Sequence, residues 1–275
     1  LVLTVYILTF TVGLPANIFT FVTLLGKARQ RVSPSDILLL NLTAADLLLL
    51  LFLPFKMAEA AAGLTWPLPA VLCPVANFCF YSSIYLSSLF LAALSVERYL
   101  GVVFPLQYKD RRRPRRAMAA SIVLWLLACS HCSVVFVAQY HGVRDGSNTT
   151  NAYRCYDDFS EDQLSFVLPL RLELFLVLFL LPFAVTIFCY INFVRALLAR
   201  SNIPLEKKQR AVGLAVATMV NFGVCFAPYN ISHVVGFVEK RSPDWRVYAL
   251  LLTSLNAALD PVIFYFSSTA VQRAM

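Results

Sequence analysis

Seven long apolar stretches constrain the fold of this chain more than any other feature of its sequence. A helix that crosses a bilayer needs about 20 mostly apolar residues, because each residue advances about 1.5 Å through a hydrocarbon core about 30 Å thick. Hydrophobic residues make up 59% of the 275 positions and charged residues only 14%. The sequence therefore predicts an all-α membrane protein, a single seven-helix domain with helices at about 1–25, 37–62, 72–103, 117–140, 164–198, 211–238 and 247–266.

The distribution of basic residues predicts how this bundle is oriented, because Lys and Arg in short loops stay on the cytoplasmic side. Of the 23 Lys and Arg residues, 16 fall on the side of the first, third and fifth junctions and 7 on the other side. The N-terminus is thus predicted outside and the C-terminus inside. The net charge of +8 then reflects membrane topology, and nucleic acid is not expected as a partner.

Three other classes of protein would show patterns that this sequence lacks. A transporter or channel would have two similar membrane halves or a continuous polar pore, and the seven stretches do not divide in that way. A retinal-binding photoreceptor would need a lysine in the last stretch for a Schiff base, and 247–266 contains none. An enzyme would need a nucleophile beside a base; no such pair stands out, so no enzyme activity is expected.

Two cysteines and a sequon are predicted on the extracellular side. Cys73 begins the third stretch, and Cys155 lies in the loop between the fourth and fifth stretches. Because that compartment is oxidising, we expect a disulfide that pins the loop across the bundle, the alternative being two unlinked thiols. The same loop contains the glycosylation sequon that begins at Asn148, which is expected to carry a glycan.

Two acidic residues, Asp46 and Asp260, lie well inside the second and seventh stretches. Ionisable side chains at hydrocarbon depth are costly, so each is a functional hypothesis that requires a partner. With Asn17, Ser87 and Asn256 they predict a polar cluster in the bundle core. One interpretation is a hydrated site for a cation such as sodium, and the other is a neutral hydrogen-bonded packing network. No other cofactor or metal is expected.

Glu97-Arg98-Tyr99 ends the third stretch on the predicted cytoplasmic side, 24 residues after Cys73. An acid beside an arginine can hold a salt bridge that releases when helices move, which is the geometry of a switch. The alternative is an arginine that merely extends to the lipid interface from a helix end.

Arg171 and Arg246 lie toward the predicted outer ends of the fifth and seventh stretches. A guanidinium offers a rigid fork of donors that matches a carboxylate, and this pairing strengthens where water is excluded. Two such forks facing one pocket predict a small anionic ligand. The alternatives are that Arg171 extends to the interface or pairs with Glu173, and that Arg246 is an exposed loop charge.

Two histidines and three tyrosines lie at neighbouring depths. His131 lies about 21 Å from the start of the fourth stretch at about 1.5 Å per residue, and His233 lies near the outer end of the sixth. Tyr81, Tyr85 and Tyr229 supply hydroxyls. Together they could complete a hydrogen-bond net around a carboxylate, with histidines that change charge near physiological pH. The alternative for each is ordinary packing inside the bundle.

One set of residues stands in a recognisable order and spacing over the whole chain: Asn17, Leu42 to Asp46, Cys73, Glu97-Arg98-Tyr99, Trp125, Cys155, Pro182, Tyr190, Pro228 and Asp260-Pro261. This pattern resembles the rhodopsin-like G-protein-coupled receptors. Two positions depart from the family pattern, because Phe226 stands where tryptophan is usual and Phe264 stands in the usual tyrosine position.

Four segments narrow the resemblance to the free fatty acid receptors, specifically the short-chain pair: 81–85, 168–174, 228–236 and 254–261. In that family the matching arginines and a histidine hold the fatty acid carboxylate, which implies Arg171, Arg246 and His233 here. His131 matches a pocket histidine of the same group. Asp157 replaces a glutamate of the acetate-preferring type and keeps the charge with a shorter reach.

The resemblance implies a plasma-membrane receptor for acetate, propionate or butyrate. Its nearer rival is a receptor for another small anion, such as a hydroxy acid or a nucleotide. Segments match both short-chain types, so chain-length preference stays open. The implied partners are surrounding lipid, a heterotrimeric G protein of the inhibitory or phospholipase-coupled class, and arrestin as a further partner. Leu106 is implied to dock the G protein, and Tyr190 belongs to the switch around Arg98.

Overall fold

The computed structural model describes residues 1–30, 32–69, 71–107, 114–133, 137 and 161–267, with side chains from 164 to 263 in the last range. Within these residues the chain forms seven successive helices and no strand, so the predicted all-α architecture is confirmed. They are α1 (Val2–Gln30), α2 (Pro34–Ala61), α3 (Leu72–Val103), α4 (Pro114–Cys132), α5 (Glu161–Leu174, Phe175–Leu180 and Leu181–Ala199), α6 (Leu205–Glu239) and α7 (Arg246–Ser267).

Five of the described helices are long and apolar enough to cross a membrane: α1, α2, α3, the Leu164–Ala199 part of α5, and α6. Helices satisfy their backbone hydrogen bonds internally, which is the condition for crossing a hydrocarbon core. α3 occupies the centre, packing against α2, α4 and α5, whereas α1 packs against α2 and α7 at the edge. Large apolar side chains of α1 and α4 remain exposed, as expected for surfaces that face lipid.

Several helices extend beyond the apolar stretches that predicted them. α1 continues to Gln30, with Lys27 and Arg29 in its last turn, where cations favour the helix dipole. α2 begins at Pro34, capped by Ser33, whose hydroxyl accepts a hydrogen bond from the Asp36 amide. Hydropathy marks the residues at hydrocarbon depth, and the helices continue into the polar interface. α4 is described as helix to Cys132, and most of its predicted continuation lies outside the described residues.

α5 contains a feature that hydropathy does not reveal, a π-helical stretch at Phe175–Leu180. It lies directly before Pro182, which supplies no backbone N–H and therefore disturbs the preceding turn. Phe179 and Phe183 from this region stack at 5.4 Å between ring centroids, and Phe183 stacks on Phe222 of α6 at 5.2 Å. Stacked phenylalanine rings therefore connect the π-helical region of α5 to the middle of α6.

α6 ends in a close approach between backbone segments. Lys240 adopts the left-handed conformation that commonly terminates a helix, and the Arg241 amide donates to the Gly236 carbonyl at 3.2 Å. A Cβ atom on Gly236 would lie 3.0 Å from the Arg241 carbonyl oxygen and 3.3 Å from the Pro243 ring. Glycine at this position therefore allows the α6–α7 connection to fold back tightly.

Gly236→Ala is expected to lower the free energy of unfolding by about 1–3 kcal/mol, the usual cost of overpacking. The measurement is the thermal unfolding of the purified chain in lipid nanodiscs. Gly213→Ala is the matched control on the same helix, because nothing lies within 4 Å of its added methyl group. Equal unfolding temperatures for the two variants would contradict the close approach.

Candidate ligand-binding site

The side chain of Arg246 lies against two stacked tyrosine rings at the end of the bundle where α6 ends and α7 begins. Its Nη2 atom donates hydrogen bonds to the hydroxyls of Tyr81 on α3 and Tyr229 on α6, each at 3.2 Å. The guanidinium carbon lies 5.4 Å from each ring centroid, and the two rings are stacked at an angle of 7°. Arg246 is buried, so the alternative of an exposed loop charge is excluded. These contacts orient the guanidinium and stabilise its charge.

His233 extends this cluster along α6, one turn beyond Tyr229 toward the end of that helix. Its Nε2 atom lies 2.8 Å from the Tyr85 hydroxyl of α3, and its ring meets the Tyr229 ring edge-on at 4.8 Å between centroids. The side chain is buried, and its Nδ1 atom has no hydrogen-bond partner among the described residues. Buried polar atoms are normally paired, so this nitrogen is a candidate contact for a small polar ligand.

Arg171 brings a second guanidinium to the same end of the bundle. Its side chain on α5 is only 2% exposed, and its Nη1 atom donates to the Ser242 hydroxyl at 3.2 Å. Ser242 lies in the connection between α6 and α7, four residues before Arg246. The alternatives for Arg171 fail, because it does not extend to the interface and Glu173 contacts His131 instead. Two helices therefore carry buried guanidinium groups to neighbouring parts of one end.

Lys56 of α2 is a third buried cation, and the sequence reasoning did not single it out. Its Nζ atom lies 2.8 Å from the Asn77 amide oxygen and 3.6 Å from a carboxylate oxygen of Glu59. It also lies 5.5 Å from the centroid of the Tyr81 ring, the ring that contacts Arg246. Lys56 is the only basic residue in the stretch 37–62, so the rule applied to Asp46 would have found it.

His131 lies apart from the Arg246 cluster. Its Nδ1 atom is 2.9 Å from the Leu127 carbonyl oxygen, and its Nε2 atom is 3.1 Å from a carboxylate oxygen of Glu173. The His131 ring faces Glu173, so it forms a contact between α4 and α5. The Arg246 cluster is formed instead by side chains of α3, α6 and α7. Its predicted role in holding a ligand stays a prediction.

Three other predicted residues, Asp157, Asn148 and Cys155, lie outside the described residues. Cys73, at the start of α3, is disulfide-bonded. Its pairing with Cys155 remains the prediction made from the sequence.

The predicted polar cluster is assembled in the bundle core. Asp46 accepts a hydrogen bond from the Ser87 hydroxyl at 2.9 Å, and Asp260 accepts one from the Asn256 amide at 3.1 Å. All four residues are buried, and Asp46 and Asp260 each keep one carboxylate oxygen with no hydrogen-bond partner among the described residues. Two neighbouring carboxyl groups need a cation or a shared proton to offset like charge, so both interpretations remain open. The Asn17 side-chain amide donates a hydrogen bond to the Ala257 carbonyl at 2.8 Å, and the Asn221 amide donates one to the side-chain oxygen of Asn256 at 2.7 Å.

At the other end of α3, the switch residues contact neighbouring helices. The Arg98 guanidinium donates to the Tyr190 hydroxyl of α5, and the Ser35 hydroxyl of α2 donates to Glu97 at 3.3 Å. Tyr99 packs its ring against Phe104 and Phe188, with centroids at 6.0 and 5.8 Å. Leu106 is 80% exposed.

A cavity of about 780 Å³ also opens near this end, between α2, α3 and α4. Its lining is mostly apolar, with Glu97 and Arg116 as its charged members. It lies far along α3 from Tyr81 and is therefore separate from the site around Arg246.

Comparisons with known proteins agree with this arrangement. Residues 2–264 match the family described as 7 transmembrane receptor (rhodopsin family). Free fatty acid receptor 2 of Mus musculus is 52% identical over 275 residues, which is 100% of this chain and 83% of that protein. Free fatty acid receptor 3 is 50% identical in Mus musculus and 51% in Homo sapiens, over 98% of this chain and 83% and 78% of those proteins.

The chain therefore belongs to the rhodopsin family of G-protein-coupled receptors and, within it, to the free fatty acid receptor type. It is a multi-pass receptor of the plasma membrane rather than an enzyme.

Asn77→Leu is expected to lower the free energy of unfolding by about 1–3 kcal/mol, because it removes a hydrogen-bond acceptor from the buried Lys56 ammonium. Thermal unfolding of the ligand-free receptor in nanodiscs measures this loss. Asn192→Leu is the matched control, since that amide is exposed and donates to the Phe188 carbonyl of its own helix. Similar losses in both variants would show that the Lys56 contact contributes little.

Proposed function

We propose that this receptor responds to short-chain fatty acids, with the carboxylate held by Arg171 and Arg246. The observation that carries the proposal is the pair of buried guanidinium groups that α5 and α7 bring to the same end of the bundle. The names of the relatives, free fatty acid receptors 2 and 3, support a fatty acid ligand. The predicted orientation makes this end extracellular, where such acids arrive.

The energetics favour an anion at this place. A carboxylate matches the donor fork of each guanidinium, and this pairing strengthens where water is excluded. A ligand of four heavy atoms, such as acetate, gains at most about 6 kcal/mol at a ceiling of about 1.5 kcal/mol per atom. Binding in the micromolar to millimolar range follows.

Other residues complete the proposed site. Tyr81 and Tyr229 orient Arg246, and Tyr85 holds one nitrogen of His233 so that the other nitrogen can face the ligand. Asp157, in the sequence between α4 and α5, is proposed as an acidic member of the site. His131 is proposed as a further residue of the site, and its described contacts are with Leu127 and Glu173.

Signal transfer is proposed to run along α5 and α6. A carboxylate between Arg171, His233 and Arg246 would draw the outer parts of α5, α6 and α7 together. Pro182 and Pro228 provide bend points, since each removes a backbone hydrogen bond. The inner ends would then separate, and a ligand achieves this only through its higher affinity for that arrangement.

The cytoplasmic partner is proposed to be a heterotrimeric G protein of the inhibitory or phospholipase-coupled class, with arrestin as a second partner. Arg98, at the inner end of α3, and the exposed Leu106 are the proposed contacts.

A second candidate is a receptor for another small anion, such as a hydroxy acid or a nucleotide. Lys56 is the observation that favours it, because it places a third buried cation beside Tyr81. Its contacts with Glu59 and Asn77 offset part of that charge, so a single carboxylate remains the better fit.

Replacing Arg171 or Arg246 with Ala is expected to reduce the potency of acetate, propionate and butyrate at least about 100-fold. Each variant loses hydrogen bonds to a charged group worth about 1.5–3 kcal/mol apiece. G-protein activation in membranes is the measurement, with lactate and a nucleotide tested in parallel.

Arg241→Ala serves as the matched control, because that arginine is exposed beside Glu239 and should keep the potency of the parent. Unchanged fatty acid responses in both site variants would remove the proposed site. A response confined to lactate or to the nucleotide would instead favour the second candidate.

We also propose that the cluster around Asp46 and Asp260 holds a sodium ion. Asp46, Ser87, Asn256 and Asp260 supply the oxygen ligands that a hard cation prefers. One carboxylate oxygen of Asp46 and one of Asp260 are buried without a hydrogen-bond partner among the described residues, which supports a bound positive charge at this point.

If sodium occupies this cluster, replacing NaCl with choline chloride should change agonist potency in the parent receptor and leave Asp46→Asn unaffected. The variant is expected to lose its sodium dependence because removal of one carboxylate weakens the cation site. Asp36→Asn is the control, an acid at the end of α2 that pairs with Lys27 at 3.2 Å. Equal sodium dependence in all three proteins would favour the neutral packing network.

A further inference from the structure

His131 and Glu173 bridge α4 and α5 outside the cluster around Arg246. The Nε2 atom of His131 lies 3.1 Å from a carboxylate oxygen of Glu173, and the Nδ1 atom lies 2.9 Å from the Leu127 carbonyl oxygen. The His131 side chain is 21% exposed and that of Glu173 is 51% exposed.

The hydrogen bonds of this pair require a proton. The Leu127 carbonyl only accepts, so the Nδ1 atom of His131 must carry a hydrogen. In a neutral imidazole the Nε2 atom then presents a lone pair, and an ionised Glu173 also presents lone pairs. The 3.1 Å contact therefore holds one additional proton, either on the imidazole or on the carboxyl group.

The surroundings allow this proton to exchange. A cavity of about 340 Å³ is lined by Ser130, Ser133, Phe166 and Leu170 together with the pair itself, which gives water a path to it. Titratable groups on the same end of the packed helices include Cys129 and Cys132 of α4, Cys79, Tyr81 and Tyr85 of α3, Arg171 of α5 and His233 of α6. Of these, the guanidinium of Arg171 is directed to Ser242.

We propose that His131 and Glu173 form a proton-binding site through which extracellular acidity acts on the receptor. At low pH the proton is bound and the contact between α4 and α5 is closed. As the pH rises the proton is lost, and the imidazole lone pair then opposes the carboxylate and loosens the contact. Glu173 lies two residues from Arg171, so the closed contact keeps the outer part of α5 in place for the ligand.

The effect on ligand potency depends on the proposed fatty acid response, whereas proton binding itself does not. A single proton changes an equilibrium by at most about tenfold per pH unit. Fatty acid potency is expected to rise toward low pH within that limit. Ionisation of the ligand is not the cause, because carboxyl groups with pKa values of about 4 stay ionised between about pH 6 and 8.

The first experiment needs no ligand. The thermal unfolding temperature of the purified receptor is measured between about pH 6 and 8, where imidazoles titrate. It is expected to fall with rising pH in the parent and to fall less in Glu173→Gln, whose amide donates to the neutral imidazole without an added proton. Glu239→Gln is the control, an exposed acid that pairs with Arg241 and should reproduce the parent profile.

The second experiment measures propionate potency at the same pH values. The parent is expected to gain potency toward low pH, and the profile of Glu173→Gln is expected to be flat. His131→Gln, whose amide can donate to Glu173, is a second variant with the same expectation if the first fails to reach the membrane. Profiles that overlay the parent in unfolding temperature and potency would overturn the proposal. A receptor that ignores propionate but keeps the ligand-free difference would instead refute only the fatty acid response.

Discussion

Burial of charged side chains in an apolar bundle is the constraint on which the rest of this structure depends. Hydrocarbon offers no solvation, so each buried charge must find its partners among the helices. Arg246 donates hydrogen bonds to two tyrosine hydroxyls, and Lys56 donates to an amide oxygen and pairs with a carboxylate. Asp46 accepts a hydrogen bond from a serine hydroxyl. These partners belong to different helices, so the contacts that stabilise the charges also fix how the helices stand relative to one another.

α3 connects the functional regions because all of them use its side chains. Tyr81 and Tyr85 contact Arg246 and His233 toward one end, Ser87 contacts Asp46 in the middle, and Arg98 reaches Tyr190 at the other end. Packed helices have discrete arrangements rather than a continuum of them. A central helix that is buried along most of its length is thus suited to couple a ligand at one end to a G protein at the other.

The sequence predicted the elements that hydropathy controls and missed those that depend on the direction of a side chain. Seven helices and the Asp46–Asp260 cluster followed from apolar length and from the cost of intramembrane charge. The rise of α4 gave the predicted depth of His131, but rise does not specify which neighbour a ring faces, and the Nε2 atom lies 3.1 Å from a carboxylate oxygen of Glu173. Lys56 was overlooked although the same rule applied to it. The π-helical stretch of α5 has no hydropathy signal, because all its residues are apolar.

That π-helical stretch sets how the two α-helical parts of α5 are rotated relative to each other about the helix axis. An inserted residue in a helix advances the phase of everything beyond it by about 100°, the rotation of one residue in a turn of 3.6. Arg171 precedes the stretch and Tyr190 follows it, so their angular relation is set by this local irregularity. Shortening the stretch by one residue would leave an apolar helix of nearly the same length, but Arg171 and Tyr190 could no longer both face their present neighbours.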